Sequence, residues 1–310
     1  MIERISMCKK YKICAVVVTY NRKELLMNCL NAINQQVYKP HTVLIVDNAS
    51  TDGTKYLVQE SGFYNVLKDD INYKYLLLPN NQGGAGGFFY GMKTAYDSIE
   101  NFDAVWVMDD DGIPDCLQLN EMIPYLNKYD FISPLVIAKE DNTKMAFYDS
   151  SVKEYQSGAK ENIVHDNANP FNGILFSRKL ISQVKYPKKE MFIWGDEINY
   201  WLRCKKEGFS PITVISAIHI HPKDRQTLGK TRLNKMIRVT DVDWKLYCLI
   251  RNKTYNKFQD SILGGIKGCF VDYLDYSYYY KSKNQHKDWL ILSAIFDAIF
   301  NRWNNLKKWK

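Results

Sequence analysis

The sequence lacks the features that define several large classes of protein. Its seven cysteines are scattered, odd in number and without a Cys-x-x-Cys pair, which argues against a disulfide framework and a zinc site. No apolar run reaches the roughly 18–20 residues of a membrane-spanning helix. The apolar run 13–18, near the basic N-terminus, is too short for a signal peptide and continues as a predicted strand. We therefore expect a cytoplasmic protein, free or peripheral at the inner face of the cell membrane.

The charge balance indicates an anionic partner. The 310 residues carry a formal net charge of +8, and the surplus is concentrated in the C-terminal half. A nucleotide diphosphate, an anionic membrane surface and a nucleic acid all fit such a charge. The sequence contains no recognisable nucleic-acid-binding motif, so we expect no nucleic-acid partner.

Short apolar runs alternate with segments of helical periodicity over the first two thirds of the chain. Strands are predicted at 13–19, 42–46, 73–78, 104–108, 131–137, 171–177 and 212–220, and helices at 23–34, 54–60, 88–98, 117–127 and within 191–208. This alternation predicts an α/β fold with a Rossmann-like, mainly parallel sheet covered by helices on both faces. Residues 223–310 lack the alternation and predict a basic, aromatic-rich, helical extension. We therefore expect two parts, 1–222 and 223–310.

Polar residues follow four of the predicted strands. They are Thr19 and Asn21, Asp47 and Asn48, Asn80 and Asn81, and the run Asp109–Asp111. Open α/β sheets bind ligands at the carboxyl ends of their strands. Three adjacent carboxylates repel one another, and they are tolerated in water or around a hard divalent cation. An acidic, solvated turn is the alternative interpretation.

A glycine-rich segment at 80–87 is predicted to be a loop. Its glycines, Gly83, Gly84 and Gly86 among them, suit a backbone that approaches a sugar or phosphate closely. A flexible surface loop is the alternative. The segment does not fit the G-x-G-x-x-G dinucleotide-binding motif, because Phe89 occupies the place of the third glycine.

Several of these segments together resemble the family 2 glycosyltransferases of the GT-A fold. The resemblance is carried by VVTYN at 17–21, DNASTDG at 47–53, NNQGGAGGF at 80–88, WVMDDDG at 106–112, the segment 194–200 and the histidines that end the last strand. It covers about residues 12–222 and is most like the galactofuranosyltransferase branch and its bacterial polysaccharide relatives, some of which transfer rhamnose. It implies an inverting, metal-dependent enzyme that uses Mn²⁺ or Mg²⁺. The implied donor is UDP-galactofuranose or dTDP-rhamnose, and the implied acceptor is a polysaccharide or a lipid-linked glycan.

The resemblance also assigns the donor and metal sites. The residues expected at the nucleotide-sugar are Thr19, Asn21, Arg22, Asp47, Asn48, Asn81, Gly83, Gly84, Gly86, Asp109 and Asp110. Asp111 is the first choice of metal ligand, with Asp109 reaching the metal or the ribose. One histidine is expected to complete the metal shell; family members often have His-Pro or His-x-Pro here, which favours His221 but leaves His219 open.

The resemblance places the catalytic base at the acidic pair Asp196-Glu197. The family's base is usually the second acid, and it is more often Asp than the Glu197 found here, so Asp196 remains an alternative. The base would take a proton from the acceptor hydroxyl during a single in-line displacement, which inverts the anomeric configuration. Trp194, Gly195 and Tyr200 are expected on the acceptor side. An acidic first helical turn favoured by the helix dipole is the alternative interpretation.

The C-terminal extension leaves several interpretations open. Its most apolar segment, 289–300, suits a core helix, an amphipathic helix at a membrane surface, or an interface between copies of the chain. Two other functions compete with glycosyl transfer. A sugar nucleotidyltransferase would carry an early glycine-rich phosphate loop, which TYNRKELL at 19–26 lacks. A non-catalytic module would use only the basic C-terminal region.

Overall fold

The fold is built around an eleven-stranded sheet. The structure is a computed structural model, and it describes residues 10–99, 102–168, 171–223 and 226–310. The chain forms two compact units. The first comprises 1–81, 90–185 and 209–223, and the second comprises 82–89, 186–208 and 224–310. The division after Lys223 lies one residue from the predicted boundary, but the second unit also takes in two earlier segments.

The first unit contains all strands of the sheet. They are β1 (Ile13–Thr19), β2 (Thr42–Asp47), β3 (Val66–Lys68), β4 (Ile71–Leu77), β5 (Ala104–Asp109), β6 (Ile113–Pro114), β7 (Phe131–Ala138), β8 (Asp141–Met145), β9 (Ile163–His165), β10 (Asn172–Ser177) and β11 (Ile212–His221). The helices before 190 are α1 (Lys23–Asn34), α2 (Thr54–Glu60), α3 (Gly83–Ser98), α4 (Gln118–Met122), α5 (Val152–Ser157) and α6 (Arg178–Val184).

The sheet order is β3-β4-β2-β1-β5-β10-β7-β11-β6, with β8 added on β7 and β9 on β11. Strands β4, β2, β1 and β5 are parallel, whereas β10 runs antiparallel to both β5 and β7. All seven residues of β1 are buried, as expected of a central parallel strand. Trp106, in β5, is fully buried, and its indole N–H donates a hydrogen bond to the Gly173 carbonyl at 2.9 Å, so the polar atom of this large side chain has a partner.

The register brings the polar ends of three strands to one edge of the sheet. Thr19 pairs with Asp47 on β2, and Val18 pairs with Asp109 on β5. The α/β class and the parallel central strands predicted from the sequence are therefore confirmed.

The predicted glycine-rich loop at 80–87 is wrong, because α3 already begins at Gly83. Gly83 has φ +71, and a Cβ there would lie 2.0 Å from the Phe192 carbonyl oxygen. The same oxygen accepts a hydrogen bond from the Ala85 amide at 3.1 Å. The close approach that requires glycine is thus to the backbone of Phe192, and the helix forms despite the low helix propensity of glycine.

The predicted helix 117–127 is shorter than expected. It consists of α4 followed by a 3-10 helix, Ile123–Asn127, whose second residue is Pro124. Proline has no amide hydrogen, so the i to i−4 ladder of an α-helix cannot continue through it.

The second unit is mainly helical. It contains α7 (Asp196–Lys206), β12 (Leu228–Lys230), β13 (Met236–Arg238), α8 (Asp243–Asp260), α9 (Ile262–Lys281) and α10 (Asp288–Ile299), with 3-10 helices Lys189–Met191 and Asn304–Lys308. The antiparallel pair β12–β13 was not expected, because three-residue strands are too short to show a period. The buried face of α10 packs in a core with α8 and α9, including Leu246, Tyr276 and Ile291. Within the described ranges, no helix has both the length and the apolar character needed to cross a membrane.

Candidate functional site

The first unit joins the ends of β1 and β5 through hydrogen bonds. The Thr19 hydroxyl donates to Asp110 Oδ2 at 2.7 Å, and both side chains are buried. Arg22, in the loop after β1, bridges the two acids: its Nη1 lies 3.2 Å from Asp110 Oδ1 and 2.9 Å from Asp111 Oδ2. The half-exposed Arg22 guanidinium thus forms ion pairs with two of the three consecutive carboxylates.

The loop after β2 is fixed to the same edge. The Asn48 amide donates to the Thr19 carbonyl at 2.9 Å, and the Asn48 side chain donates to Asn81 Oδ1 at 3.3 Å. Asn21 adopts φ +53, and its Oδ1 accepts from the Thr51 amide at 2.7 Å. Asp47 accepts from the Ser50 amide at 2.7 Å and from the Tyr75 hydroxyl. The residues predicted at the donor therefore lie together in the first unit, except for the glycines at 83, 84 and 86, which belong to the second unit.

The three carboxylates differ in their electrostatic environments. Burial and, to a smaller extent, the charges of Asp111 and Asp110 together raise the pKa of Asp109 to about 8. Burial also raises the pKa of Asp110, to about 6, against the opposing effect of Arg22. Burial acts in the same direction on Asp111, but His221 and Arg22 outweigh it, so the pKa of Asp111 lies below its usual value.

The two histidines of β11 have different surroundings. The His219 ring is fully buried, and its Nδ1 lies 2.9 Å from Gln118 Oε1. A Cβ on Gly112 would lie 2.2 Å from its Nε2, so glycine is required beside this ring. Burial lowers the pKa of His219 to about 3, with a further contribution from His221. His219 therefore occupies an enclosed packing position.

His221 instead faces an acid. Its Nε2 lies 3.1 Å from Asp111 Oδ1, and its Nδ1 lies 2.7 Å from the Pro222 carbonyl oxygen. The ring packs against Phe147, with 4.8 Å between centroids. Burial acts to lower the pKa of His221, but Asp111 outweighs it and raises the pKa.

Asp111 and His221 fit a divalent cation that takes only part of its shell from the protein. Asp111 Oδ1 is buried, and apart from the facing Nε2 of His221 no described residue donates a hydrogen bond to it. Neighbouring ligands of an octahedral ion lie about 3.0 Å apart, because each is about 2.1 Å from the metal at right angles to the other. The 3.1 Å separation matches that spacing. Within 10–99, 102–168, 171–223 and 226–310, no three His, Cys, Asp or Glu residues are grouped to hold a metal. Water and substrate phosphates complete many Mg²⁺ shells in this way.

The second unit contains the predicted catalytic acids at the start of α7. Asp196 is 5% exposed, whereas Glu197 is partly exposed and its Oε2 accepts from the Gly195 amide at 3.1 Å. Trp194 has φ +60, and the Arg238 guanidinium lies 4.1 Å from its ring centroid. Tyr200, predicted on the acceptor side, is fully buried.

Sequence reasoning missed the polar residues of α8 that hold the segment before α7. The Asn252 side-chain nitrogen lies 2.7–2.9 Å from the carbonyl oxygens of Met191, Ile193 and Trp194. The Asn256 side chain donates to the Gly195 carbonyl at 2.7 Å. The sequence contained one signal for this role, because Asn252 and Asn256 are four residues apart and share one face of a helix. Their partners could not be read from it, because they are backbone carbonyl groups about 60 residues away.

Comparison of the sequence with known protein families shows the family of this chain. Residues 14–185 match the model of glycosyl transferase family 2, which is more than half of the chain. The chain belongs to this family and is a glycosyltransferase. The galactofuranosyltransferase GlfT1 of Mycolicibacterium smegmatis is 30% identical over 257 residues, which are 78% of this chain and 82% of that protein.

A second relative agrees with this assignment, and a solved structure shares the fold. The GalNAc(5)-diNAcBac-PP-undecaprenol β-1,3-glucosyltransferase of Campylobacter jejuni is 27% identical over 227 residues, which are 71% of this chain and 69% of that protein. GalNAc-T7 in complex with UDP, GalNAc and Mn²⁺ has a TM-score of 0.59 at 10% identity, and the match covers 96% of this chain and 58% of that chain. The structural likeness confirms the GT-A fold expected from the sequence.

Proposed function

We propose that this glycosyltransferase moves galactofuranose from UDP-galactofuranose to a polysaccharide or lipid-linked glycan, with inversion and with the help of Mn²⁺ or Mg²⁺. The donor assignment is supported by the 30% identity to a galactofuranosyltransferase over most of both chains. A lipid-linked acceptor is supported by the name of the Campylobacter jejuni relative, which specifies a PP-undecaprenol glycan.

The observation that carries the proposal is the pairing of Asp111 with His221 beside the joined strand ends. Apart from the Nε2 of His221, which lies 3.1 Å away, no described residue offers a hydrogen-bond donor to the buried Oδ1 of Asp111. The carboxylate oxygen is a ligand type that Mn²⁺ and Mg²⁺ prefer, and the imidazole nitrogen lies at the spacing of a neighbouring ligand. When bound, the cation supplies Lewis-acid neutralisation of the charge that develops on the departing diphosphate.

The other residues of this edge bind and orient the donor. Thr19, Asn48 and Asn81 offer hydroxyl and amide groups for the base and ribose at adjacent strand ends. Arg22 adds a positive charge, half exposed, next to Asp111. Asp47 holds the loop after β2 through the Ser50 amide and the Tyr75 hydroxyl.

Glu197 is proposed as the general base. It is partly exposed, whereas Asp196 is 5% exposed. The Glu197 carboxylate takes the proton of the acceptor hydroxyl, the hydroxyl oxygen bonds to the anomeric carbon, and the bond from that carbon to UDP breaks with its electron pair leaving on UDP. Attack opposite the leaving group inverts the anomeric configuration.

A donor comparison tests the proposal. The protein is incubated with Mn²⁺, a lipid-linked glycan and, in separate reactions, UDP-galactofuranose, UDP-galactopyranose or dTDP-rhamnose. We expect a product one hexose heavier only with UDP-galactofuranose, and no product after chelation of the metal. Transfer from dTDP-rhamnose alone would overturn the donor assignment, and full activity in chelator would overturn the metal requirement. A product that retains the donor's anomeric configuration would overturn the single displacement.

A further inference from the structure

We propose that one face of α9 docks on an anionic lipid surface. This α9 outer face is formed by large apolar residues that are 45–81% exposed: Ile262, Leu263, Ile266, Phe270, Leu274 and Tyr278. Their spacing of three, four or one residues places them along one side of the helix. A stripe of apolar side chains this long on the surface indicates an interaction site.

The other side of α9 already makes the packing contacts of the second unit. Gly265, Gly268, Asp272, Tyr276 and Tyr280 are buried there. A Cβ on Gly265 would lie 2.3 Å from the Phe258 ring of α8, so the two helices approach closely. The α9 outer face is therefore not needed to hold α9 in place.

The charges around α9 favour an anionic occupant. Lys267 is exposed and lies on the α9 outer face. Of the acids of α9, Asp272 is buried and paired with Lys253 and Lys257, while Asp275 lies 3.8 Å from Lys235. Residues 223–310 contain 18 Lys and Arg against 8 Asp and Glu, whereas residues 1–222 contain 24 against 26. The net positive charge of the chain thus comes from the part that carries this face.

The charge pattern disfavours a second copy of the chain as the occupant. Two copies related by a two-fold axis would bring the same cationic surface to both sides, and the α9 outer face has no acid to pair with Lys267. Anionic headgroups would instead attract Lys267 and the net positive charge of residues 223–310, while the apolar side chains enter the acyl boundary.

A neighbouring element has the same character. The turn between β12 and β13 exposes 86% of Leu233, which lies between Arg232 and Lys235 in a polar segment. A Cβ on Gly229 would lie 2.4 Å from the Tyr279 ring, so β12 packs directly against α9. With 20 residues, α9 is about 30 Å long. Since no described helix is suited to span a membrane, we infer that α9 lies in the plane of the surface.

Vesicle co-sedimentation of the full chain tests the proposal without any transfer reaction. The vesicles are phosphatidylcholine alone or mixed with phosphatidylglycerol. We compare the unmodified protein with Phe270→Ser/Leu274→Ser and with Lys267→Glu. Leu67→Ser serves as the apolar control, because Leu67 is 71% exposed on β3, and Lys153→Glu serves as the charge control, because Lys153 is exposed on α5.

We expect binding only to the mixed vesicles, weakened at least about tenfold by Phe270→Ser/Leu274→Ser because apolar burial is lost. Lys267→Glu should weaken vesicle binding several-fold. Every variant should melt at the same temperature as the unmodified protein, since all the replaced side chains are exposed. The controls should bind as the unmodified protein does. Equal binding by all variants, or no vesicle binding at low salt, would overturn the proposal. A dimer in analytical ultracentrifugation that Phe270→Ser/Leu274→Ser dissociates would also overturn it, in favour of a second copy.

Discussion

The Nε2 atom of His221 faces Oδ1 of Asp111 across 3.1 Å, and the tautomer of the ring explains why this matters. Nδ1 lies 2.7 Å from the Pro222 carbonyl oxygen, which can only accept, so Nδ1 carries the hydrogen. In the neutral ring the lone pair of Nε2 then faces a carboxylate oxygen. Two acceptors at this distance repel unless a proton or a cation lies with them. This relationship makes the pair a candidate for metal binding.

The two histidines should respond differently to replacement. We expect His221→Gln to weaken Mn²⁺ binding about 10–100-fold, because the Nε2 that faces Asp111 is lost, and to change thermal stability less than His219→Ala, because glutamine leaves no large cavity. His219→Ala should lower the free energy of unfolding by about 2–4 kcal/mol, because it leaves a cavity beside Gln118, and should leave the metal affinity within a few-fold. Isothermal titration and denaturant unfolding measure the two effects. If His219→Ala loses metal binding and His221→Gln does not, the metal ligand is His219 and not His221.

Replacement of the two acids of α7 should have different effects on kcat and on stability. Glu197→Gln should lower kcat by about 10²–10⁴-fold, because a general base contributes that factor, while UDP affinity is unchanged. Asp196→Asn should act mainly on stability, because its side chain is 5% exposed. Steady-state kinetics with thermal melting distinguish the two. If Asp196→Asn abolishes transfer in a fully folded protein and Glu197→Gln does not, the base is Asp196.

Asn252 is predicted to position the segment before Glu197. Its side-chain nitrogen contacts the carbonyl oxygens of Met191, Ile193 and Trp194. Asn252→Ala should therefore lower kcat at least about tenfold and leave the KM for the donor within a few-fold.

Thr254→Val is the matched control on the same helix. Thr254 is fully buried and its hydroxyl has no described hydrogen-bond partner, so valine should leave activity unchanged and stability equal or higher. If Asn252→Ala and Thr254→Val lose stability equally and neither changes kcat, Asn252 is only a packing residue.

Asp52 predicts a pH dependence of stability. Partial burial acts to raise its pKa, but hydrogen bonds from Thr54 and from the Lys23 amide outweigh burial and lower the pKa. A folded-state pKa below the unfolded value stabilises the fold above the unfolded pKa of about 3.9, and this contribution is lost as the pH falls.

The stability lost in Asp52→Asn should therefore shrink between about pH 7 and about pH 3. Denaturant unfolding at several pH values measures it, with Asp149→Asn, an exposed acid of the first unit, as the control. A stability difference that is independent of pH would show that the Asp52 charge does not contribute.

The sequence was sufficient for the parallel central strands of the sheet and for the meeting of their polar ends. The strand ends at Thr19, Asp47 and Asp109 could be placed together because buried parallel strands are continuous apolar runs whose carboxyl ends share an edge. The choice between His219 and His221 could not be made, because alternate residues of a strand share a face. Their difference comes from Gln118 and Gly112, which approach from elsewhere in the chain.

Other features depended on tertiary contacts that local patterns do not contain. Gly83 was expected to lie in a loop that approaches a sugar or phosphate, whereas the observed close approach is to the Phe192 carbonyl and the segment is helical. The role of Asn252 depends on carbonyl groups about 60 residues away. The short strands β12 and β13 have too few residues to show a period.

The most direct measurement is the affinity for UDP with and without Mn²⁺, in the unmodified protein and in Asp111→Asn. We predict that Mn²⁺ strengthens UDP binding at least about tenfold in the unmodified protein and that Asp111→Asn removes this effect while the protein stays folded. Glu154→Gln, an exposed acid on α5, should keep the full effect of Mn²⁺. Equal strengthening by Mn²⁺ in Asp111→Asn would contradict the assignment of the cation to Asp111 and His221.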